Sequence, residues 1–148
     1  MIDDTIKLRF LLTDSRSAGF PVTIESLWCI KENDGYRVKN APFFINGISF
    51  DDLISVRTLD SGEVQLNQVI QPSGNSTLWL NFPKPELAKD ILNTLTSLGC
   101  GTEGGVFPGY YSINIPQNVD IQPIFDLLDS ELDKGIVEVN YPSIRHAA

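Results

Sequence analysis

The chain has 148 residues, of which 42% are hydrophobic and 20% are charged, and this composition is typical of a folded globular protein rather than a disordered one. No apolar run approaches ~20 residues, so the sequence predicts no membrane-spanning helix. The formal net charge of -8 repels phosphates, which disfavours nucleic acid and favours a basic protein as partner.

Residues 1–72 are predicted to form a small β subdomain, because short strand patterns alternate with turn residues. Asn33, Asp34 and Gly35 form the clearest hairpin turn, since these residue types tolerate positive φ. A second hairpin is centred on residues 60–62. The predicted strands are 6–12, 21–32, 36–45, 48–59 and 63–71. Strands at this spacing predict a small antiparallel β-barrel or a curled sheet.

The strand at 21–32 has two faces of different character. One face carries Val22, Ile24, Trp28 and Ile30, and the other carries Thr23, Glu25, Leu27, Cys29 and Lys31. We expect Trp28 to be a core residue, and we expect the two halves of the chain to share one core through Trp28 and Trp79.

Glu25 is the polar residue of most interest in this strand. If Leu27 and Cys29 are buried, the Glu25 carboxylate is partly buried as well and needs a partner. A cross-strand pair with Arg37 or Lys39 is one interpretation. The alternative is a carboxylate that is presented to a ligand.

Residues 73–148 are predicted to form a second subdomain with the order β-α-β-α-β, so that the chain as a whole is an α+β protein. The predicted strands are 77–82, 110–116 and 136–141, and a fourth comes from 103–107 or from the first half of the chain. One helix begins at Pro85, buries Leu87, Ile91, Leu95 and Leu98, and ends at Gly99. The other is capped by Asp120, buries Ile121, Ile124, Phe125, Leu128 and Leu132, and ends at Gly135. This order predicts a ferredoxin-like half with both helices on one face of the sheet.

Catalytic signatures are weak in this sequence. The glycine-rich segment 99–109 matches neither a P-loop nor a dinucleotide fingerprint, and we interpret it as a mobile connection. Cys29 and Cys100 are predicted to be free thiols packed as small hydrophobes. Ser73 and Ser76 have no evident histidine partner, because the single histidine, His146, lies in the C-terminal tail. We therefore expect no enzyme activity, no cofactor and no metal site.

The second predicted helix carries an acidic stripe. Asp126, Asp129 and Asp133 are joined by Ser130 and lie away from the buried face. A solvated surface is one interpretation of this stripe. The other is a docking surface for a basic protein, which agrees with the net charge of the whole chain.

Four segments of the sequence resemble a known family. The segments IESLW, GYRVKNAPF, SGNST and GCGTEG, together with their spacing, are similar to an uncharacterised bacterial family catalogued as domain of unknown function 4265. Ile24 departs conservatively from the valine that the family pattern has. The resemblance implies that one surface gathers Glu25, Trp28, Tyr36, Asn40, Ser73, Ser76 and Glu103.

Three functional hypotheses follow, and the sequence leaves the oligomeric state open. Small acidic bacterial proteins without catalytic residues resemble, as a class, immunity proteins (antitoxins) that neutralise a toxin domain. A cytoplasmic immunity protein is the first hypothesis, since the N-terminus lacks the pattern of a signal peptide. A small-molecule sensor with a pocket near Glu25 and Glu103 is the second. A hydrolase that uses these two carboxylates is the third.

Overall fold

The computed structural model describes residues 4–12 and 24–146, and it divides into two compact units, Met1–Ser73 and Gly74–Ala148. Both α-helices lie in the second unit, and most strand pairs are antiparallel. The protein therefore has a mixed α+β fold, as predicted. In the part of the chain that the structure describes, no helix is both long enough and apolar enough to cross a membrane.

The first unit is a closed five-stranded barrel. Its strands are β1 (Thr5–Leu11), β2 (Ile24–Glu32), β3 (Gly35–Val38), β4 (Leu53–Thr58) and β5 (Val64–Gln71). Consecutive strands pair antiparallel, and β1 closes the barrel by pairing in parallel with β5 at Phe10 and Val64. The expectation of a curled sheet is thus confirmed, whereas the parallel closing pair is a feature that the sequence pattern does not indicate.

The barrel interior is filled by one face of each strand. Its buried hydrophobic residues are Phe10, Leu27, Cys29, Val38, Ile45, Ile48, Ile54 and Val64. The interior face of β2 is therefore that of Leu27, and the opposite face of the same strand points outward. Trp28 lies on that outer face and is 49% exposed, whereas Trp79 in the second unit is 1% exposed. The expectation that Trp28 is a core residue is therefore wrong.

The segment after β3 departs from its predicted structure. The strand expected at 36–45 ends at Val38, and residues 39–52 form a loop that leads to β4. Pro42 in this loop has no N–H to donate to a strand ladder. The backbone N–H groups of the three following residues instead bond a side chain, described below.

The second unit is a four-stranded sheet with two helices. Its elements are β6 (Ser76–Asn81), α1 (Ala88–Ser97), β7 (Gly101–Gly104), β8 (Tyr110–Ile115), α2 (Gln122–Asp133) and β9 (Glu138–Ser143), and a 3-10 turn (Pro85–Leu87) precedes α1. The strand order is β7-β8-β6-β9, and all three pairs are antiparallel. The fourth strand is thus β7, within the segment predicted to be a mobile connection, because Gly101–Gly104 pairs with β8 as a hairpin.

The helix predictions are largely confirmed. Both helices end before a glycine with positive φ, Gly99 at 105° and Gly135 at 73°. Two leucines predicted to be buried are exposed instead, Leu87 at 43% and Leu132 at 42%. Leu87 lies in the 3-10 turn, whose rotation per residue differs from that of α1 and moves its side chain away from the sheet. Beyond α2, Val137 is a core residue.

Candidate functional site

The acidic stripe on α2 faces solvent. Asp126, Asp129, Ser130 and Asp133 are all exposed, and Asp126 accepts a hydrogen bond of 2.9 Å from the Gln122 side chain. Opposite this face, Ile124 and Leu128 are buried in the core. The 3.6-residue period of the helix therefore separates an apolar buried side from a carboxylate-bearing exposed side.

One of the α2 carboxylates lies where the helix dipole disfavours it. The first turn contains no acidic residue and the last turn contains no basic one, and Asp133 is the final residue of the helix. Carboxylates stabilise the N-terminus of a helix and destabilise the C-terminus, where the unpaired carbonyl groups carry partial negative charge. Asp133 in the last turn is therefore placed where the dipole disfavours it, although Asp120 accepts the Gln122 N–H at 3.0 Å at the favoured end and Lys134 follows directly at the C-cap.

An exposed aromatic ring lies beside this acidic face. Tyr141 in β9 is 49% exposed, and its ring meets that of Phe125 in α2 at a centroid distance of 6.0 Å and an angle of 73°. Desolvation, and in addition the negative charge of Asp129, raise the pKa of Tyr141. We define the acidic α2 face as Asp126, Asp129, Ser130, Asp133 and Tyr141. The sequence pattern did not reveal Tyr141, because helix periodicity carries no information about a neighbouring strand.

Glu25 is buried and bonded to backbone groups. Its side chain is 6% exposed. One carboxylate oxygen accepts the Phe43 N–H at 2.6 Å, and the other accepts the Phe44 and Ile45 N–H groups at 3.0 and 3.1 Å. Glu25 thus fastens the loop between β3 and β4 to β2. We call this arrangement the Glu25 clamp.

The cationic partners proposed for Glu25 are bound elsewhere. Arg37 donates two hydrogen bonds to Glu32, at 2.9 and 2.8 Å, and Lys39 contacts Asp51 at 2.6 Å. Burial raises the pKa of Glu25 to about 7, and its three backbone hydrogen bonds act in the opposite direction. The ion-pair interpretation is therefore wrong, although the expected burial of this carboxylate is correct.

A second buried carboxylate fixes the end of this loop that leads into β4. No sequence pattern predicted it. Asp52 is 0% exposed and accepts backbone N–H groups from Ser49 and Ser73, both at 2.9 Å. The Ser73 hydroxyl donates to the Phe50 carbonyl at 2.7 Å. An aspartate in a polar loop segment looks like a solvated residue in sequence, so no local signal identifies this role. Ser73, after β5, accordingly holds the end of this loop in place.

Three further candidate pocket residues are Trp28 in β2, Tyr36 in β3 and Asn40 in the loop after β3. Asn40 accepts the backbone N–H of Trp28 at 2.8 Å, which brings these two predicted residues together. Lys7 lies over the Trp28 ring at 5.7 Å from its centroid, and Lys31 lies over the Tyr36 ring at 4.7 Å. Tyr36 also packs partly against the barrel core. Trp28 is on the outer face, and Tyr36 is on the inner one.

Ser76 does have a histidine partner, contrary to the sequence-based expectation. Its hydroxyl lies 2.6 Å from Nδ1 of His146, whose Nε2 lies 2.8 Å from the Pro116 carbonyl. The Ser76 oxygen also accepts the backbone N–H groups of Arg145 and His146, at 2.8 and 3.2 Å. Ser76 is 0% exposed. A buried hydroxyl whose lone pairs are occupied is a structural anchor for the chain after β9 rather than a nucleophile.

Replacing Ser76 by Ala is expected to lower the free energy of unfolding by about 1 to 2 kcal/mol, because two backbone N–H groups and a ring nitrogen lose their partner. Chemical denaturation measures this change, and hydrogen exchange should accelerate at the Arg145 and His146 amides. Ser97→Ala is the matched control, since the Ser97 hydroxyl is exposed and bonds only its own helix. Equal effects of the two substitutions would contradict the anchoring role.

The remaining predicted residues of the second unit carry no catalytic arrangement. Glu103 lies in β7 and is exposed, and desolvation raises its pKa. Burial raises the pKa of Cys100 to about 11 and that of Cys29 to about 12, so both thiols stay protonated. Both are buried free cysteines, as predicted. Within residues 4–12 and 24–146, no group of three or more His, Cys, Asp or Glu side chains is arranged to hold a metal ion.

The seven residues that the family resemblance groups together fall in both units. Five of them, Glu25, Trp28, Tyr36, Asn40 and Ser73, belong to the barrel unit, and Ser76 and Glu103 belong to the second unit. Glu25, Ser73 and Ser76 hold backbone segments in place, as described above. The Glu25 carboxylate is therefore not exposed to a ligand or a substrate. This burial weakens the sensor and hydrolase hypotheses.

Comparison with known proteins identifies the family and supports the fold. The family described as "Domain of unknown function (DUF4265)" matches residues 25–139, so the chain belongs to it. A hypothetical protein from Neisseria gonorrhoeae, known from its crystal structure, is similar in fold with a TM-score of 0.75, 18% sequence identity and 100% coverage of both chains. No curated protein matches this chain significantly.

Proposed function

We propose that this member of the DUF4265 family is a non-enzymatic cytoplasmic binding protein, an immunity protein that neutralises a basic bacterial toxin domain through its acidic α2 face. The observation that carries this proposal is the exposed row of Asp126, Asp129 and Asp133 on α2, whose last member lies in the turn where the helix dipole disfavours a carboxylate. Binding of a cationic partner supplies a reason for a carboxylate that folding does not favour.

Tyr141 gives the acidic α2 face an anchor as well as a charge. Tyrosine is enriched among the residues that carry most of the energy of protein interfaces, because its ring contributes contact area at low entropic cost. The Asp129 charge acts on the Tyr141 hydroxyl, so one basic side chain of the partner could pair with the carboxylate and stack on the ring. The surrounding carboxylates speed the encounter and select a basic partner.

We further propose that the second unit is ferredoxin-like. The order β-α-β-β-α-β of its elements and the strand order β7-β8-β6-β9 support this assignment. In such an arrangement both helices cover one face of an antiparallel sheet, which leaves the outer side of α2 available to a partner.

The proposal is tested by removing the three α2 carboxylates together. The variant Asp126→Asn, Asp129→Asn, Asp133→Asn is compared with Asp34→Asn, Asp60→Asn, Glu86→Gln, which removes three exposed carboxylates elsewhere. Each tagged protein is used to capture partners from a lysate of the native bacterium, and captured proteins are identified by mass spectrometry. The captured toxin domain is then expressed with each variant, and cell growth is measured.

The wild type and the control variant should capture a basic toxin domain in near-equal amounts and restore growth, whereas the α2 variant should capture at least about tenfold less. The free energy of unfolding of the α2 variant should be higher by about 0.5 to 1 kcal/mol, because its unfavourable interaction with the helix dipole is removed. Lost binding together with raised stability cannot be a consequence of misfolding. Equal capture by all three proteins, or no captured toxin domain, would overturn the proposal.

A further inference from the structure

The outer face of β1, β2 and β3 is basic, although the protein as a whole is acidic. The strand register places Lys7 of β1 opposite Trp28 of β2, and Arg9 follows two residues later on the same face. On the other side of β2, Arg37 of β3 lies opposite Ile30. We define the basic barrel face as Lys7, Arg9, Trp28, Ile30, Arg37 and Lys39, and Glu32 lies on the same face of β2.

The four cations of this face differ in how they are compensated. Arg37 is paired with Glu32, and Lys39 is paired with Asp51. Among the described residues, Lys7 and Arg9 form no ion pair. Lys7 lies over the Trp28 ring, and Arg9 acts on Glu63 only through a long-range attraction that contributes to its lowered pKa. Lys7 therefore lies over the exposed ring and Arg9 follows on the same face opposite Ser26, and no carboxylate of the described residues forms an ion pair with either.

A cleft of about 410 Å³ opens beside this face. Its lining includes Ile30, Ser73 and the ion pairs Arg37–Glu32 and Lys39–Asp51. The loop that borders the cleft is fixed at both ends, by the Glu25 clamp and by Asp52. A surface that combines a half-exposed tryptophan, flanking cations and a preformed cleft matches the composition of the energetic centre of a protein interface.

We propose that the basic barrel face docks an acidic segment of a partner protein, with Trp28 as the apolar anchor and Lys7 and Arg9 as the groups that pair with its carboxylates. This surface is separate from the acidic α2 face and selects the opposite charge. Charge complementarity identifies the occupant, because Lys7 and Arg9 are the cations of this face that form no ion pair within residues 4–12 and 24–146. A protein is favoured over a nucleic acid because the anchor is one exposed ring beside two cations, whereas a nucleic-acid site neutralises a run of phosphates.

The test uses a short fluorescein-labelled peptide of glutamates with one central phenylalanine. Three probes of the same length accompany it, a peptide with glutamine in place of glutamate, one with lysine in its place, and an oligothymidine. Binding is followed by fluorescence anisotropy at low salt. The change in tryptophan emission on binding is a second readout. It reports mainly on Trp28, because Trp79 is 1% exposed and is not accessible to the peptide.

Two variants and two controls locate the contact. Lys7→Gln, Arg9→Gln removes the cations, and Trp28→Thr removes the ring while it keeps a residue type that favours strands. Their matched controls are Lys84→Gln, Lys89→Gln, which removes two exposed cations, and Phe107→Thr, which removes an exposed ring from the second unit. Far-ultraviolet circular dichroism and thermal melting check that each variant is folded.

The glutamate peptide should bind the wild type and both controls and change the emission of Trp28. Each barrel variant should weaken this binding at least about tenfold, and the glutamine peptide should bind about tenfold more weakly than the glutamate peptide. Three outcomes would overturn the proposal. They are a Kd above about 1 mM, binding that the barrel variants leave unchanged, and an affinity for oligothymidine or the lysine peptide that equals or exceeds that for the glutamate peptide.

Discussion

Replacing Glu25 by Gln is expected to lower the free energy of unfolding at pH 5 by about 2 kcal/mol, and replacing it by Leu by about 4 kcal/mol. The carboxyl group offers two acceptor oxygens to three backbone N–H groups, and it keeps both acceptors when it is protonated. A glutamine keeps one oxygen and points a donor at the Phe43 N–H. A leucine leaves all three donors without a partner. Urea denaturation at pH 5 measures both changes.

Glu103→Gln is the matched control for this experiment. Glu103 is exposed in the second unit, so the same change of side chain should alter the free energy of unfolding by less than about 0.5 kcal/mol. An effect of Glu25→Gln as small as that of the control would show that the three hydrogen bonds are not important for stability. Hydrogen exchange at the Phe43, Phe44 and Ile45 amides provides a local readout of the same contacts.

The cost of Glu25→Gln should itself depend on pH. Burial raises the pKa of Glu25 from 4.5 to about 7 in the folded protein. Between these two values the folded state binds a proton that the unfolded state releases, so the wild type loses stability as pH rises. The contribution is full below about pH 4.5 and is lost above about pH 7, and its size is about 3 kcal/mol. Glu25→Gln should therefore approach the wild type in stability at pH 8.

Other carboxylates with shifted pKa values can be separated from Glu25 in this measurement. The pKa of Glu32 is lowered by its hydrogen bonds from Arg37, and that of Glu63 by a hydrogen bond from Ser61, so their contributions are lost as pH falls below about 4.5. Glu103 titrates in the same direction as Glu25 but is retained in Glu25→Gln. The difference between the wild type and this variant therefore isolates Glu25. A difference that stays constant from pH 5 to pH 8 would contradict the shift.

The two proposed surfaces place opposite charges on different units of the chain. The acidic α2 face belongs to the second unit, and the basic barrel face belongs to the first. Removing Asp126, Asp129 and Asp133 tests only the former, and removing Lys7 and Arg9 tests only the latter. A toxin domain that is captured normally by the barrel variants but lost by the α2 variant would assign neutralisation to α2 alone.

Local sequence signals were sufficient for most of the secondary structure. Alternation identified the strands. The turn at Asn33–Gly35 was recognisable because Asn, Asp and Gly tolerate positive φ, and Asn33 adopts φ of 50°. Gly99 and Gly135 marked the helix ends for the same reason. The exceptions were Gly101–Gly104, whose glycines do not look like a strand, and residues 39–45, whose aromatic composition does. In both segments tertiary pairing overrode propensity.

For the candidate site residues, the sequence predicted only which face of a strand or helix each one lies on. Alternation correctly put Glu25 on the same side of β2 as Leu27, so its burial was predicted only on the condition that this side is the interior. The same alternation put Trp28 on the opposite side of β2. Because large aromatic residues are usually buried, the Trp28 side was wrongly expected to face the barrel interior. Helical periodicity correctly placed the α2 carboxylates on an exposed face, which is a local property of the helix.

Contacts between distant parts of the chain decided the rest. Ser76 and His146 are 70 residues apart and meet at 2.6 Å, because β9 returns beside β6. The donors to Glu25 lie 18 to 20 residues away, in a segment whose conformation no local signal indicates. The roles of Ser73 and Asp52 arise in the same way.

The sequence by itself determined the turns, the two faces of each strand, the amphipathic helices and the balance of charge, because these depend on residues within a few positions of one another. Only the tertiary structure decided which face of β2 is interior, since that follows from closure of the barrel between Phe10 and Val64. It also decided which groups bond Glu25 and Ser76 and which cations surround Trp28. Such contacts arise when the chain folds back on itself, and the periodicity of a single segment contains no information about its eventual neighbours.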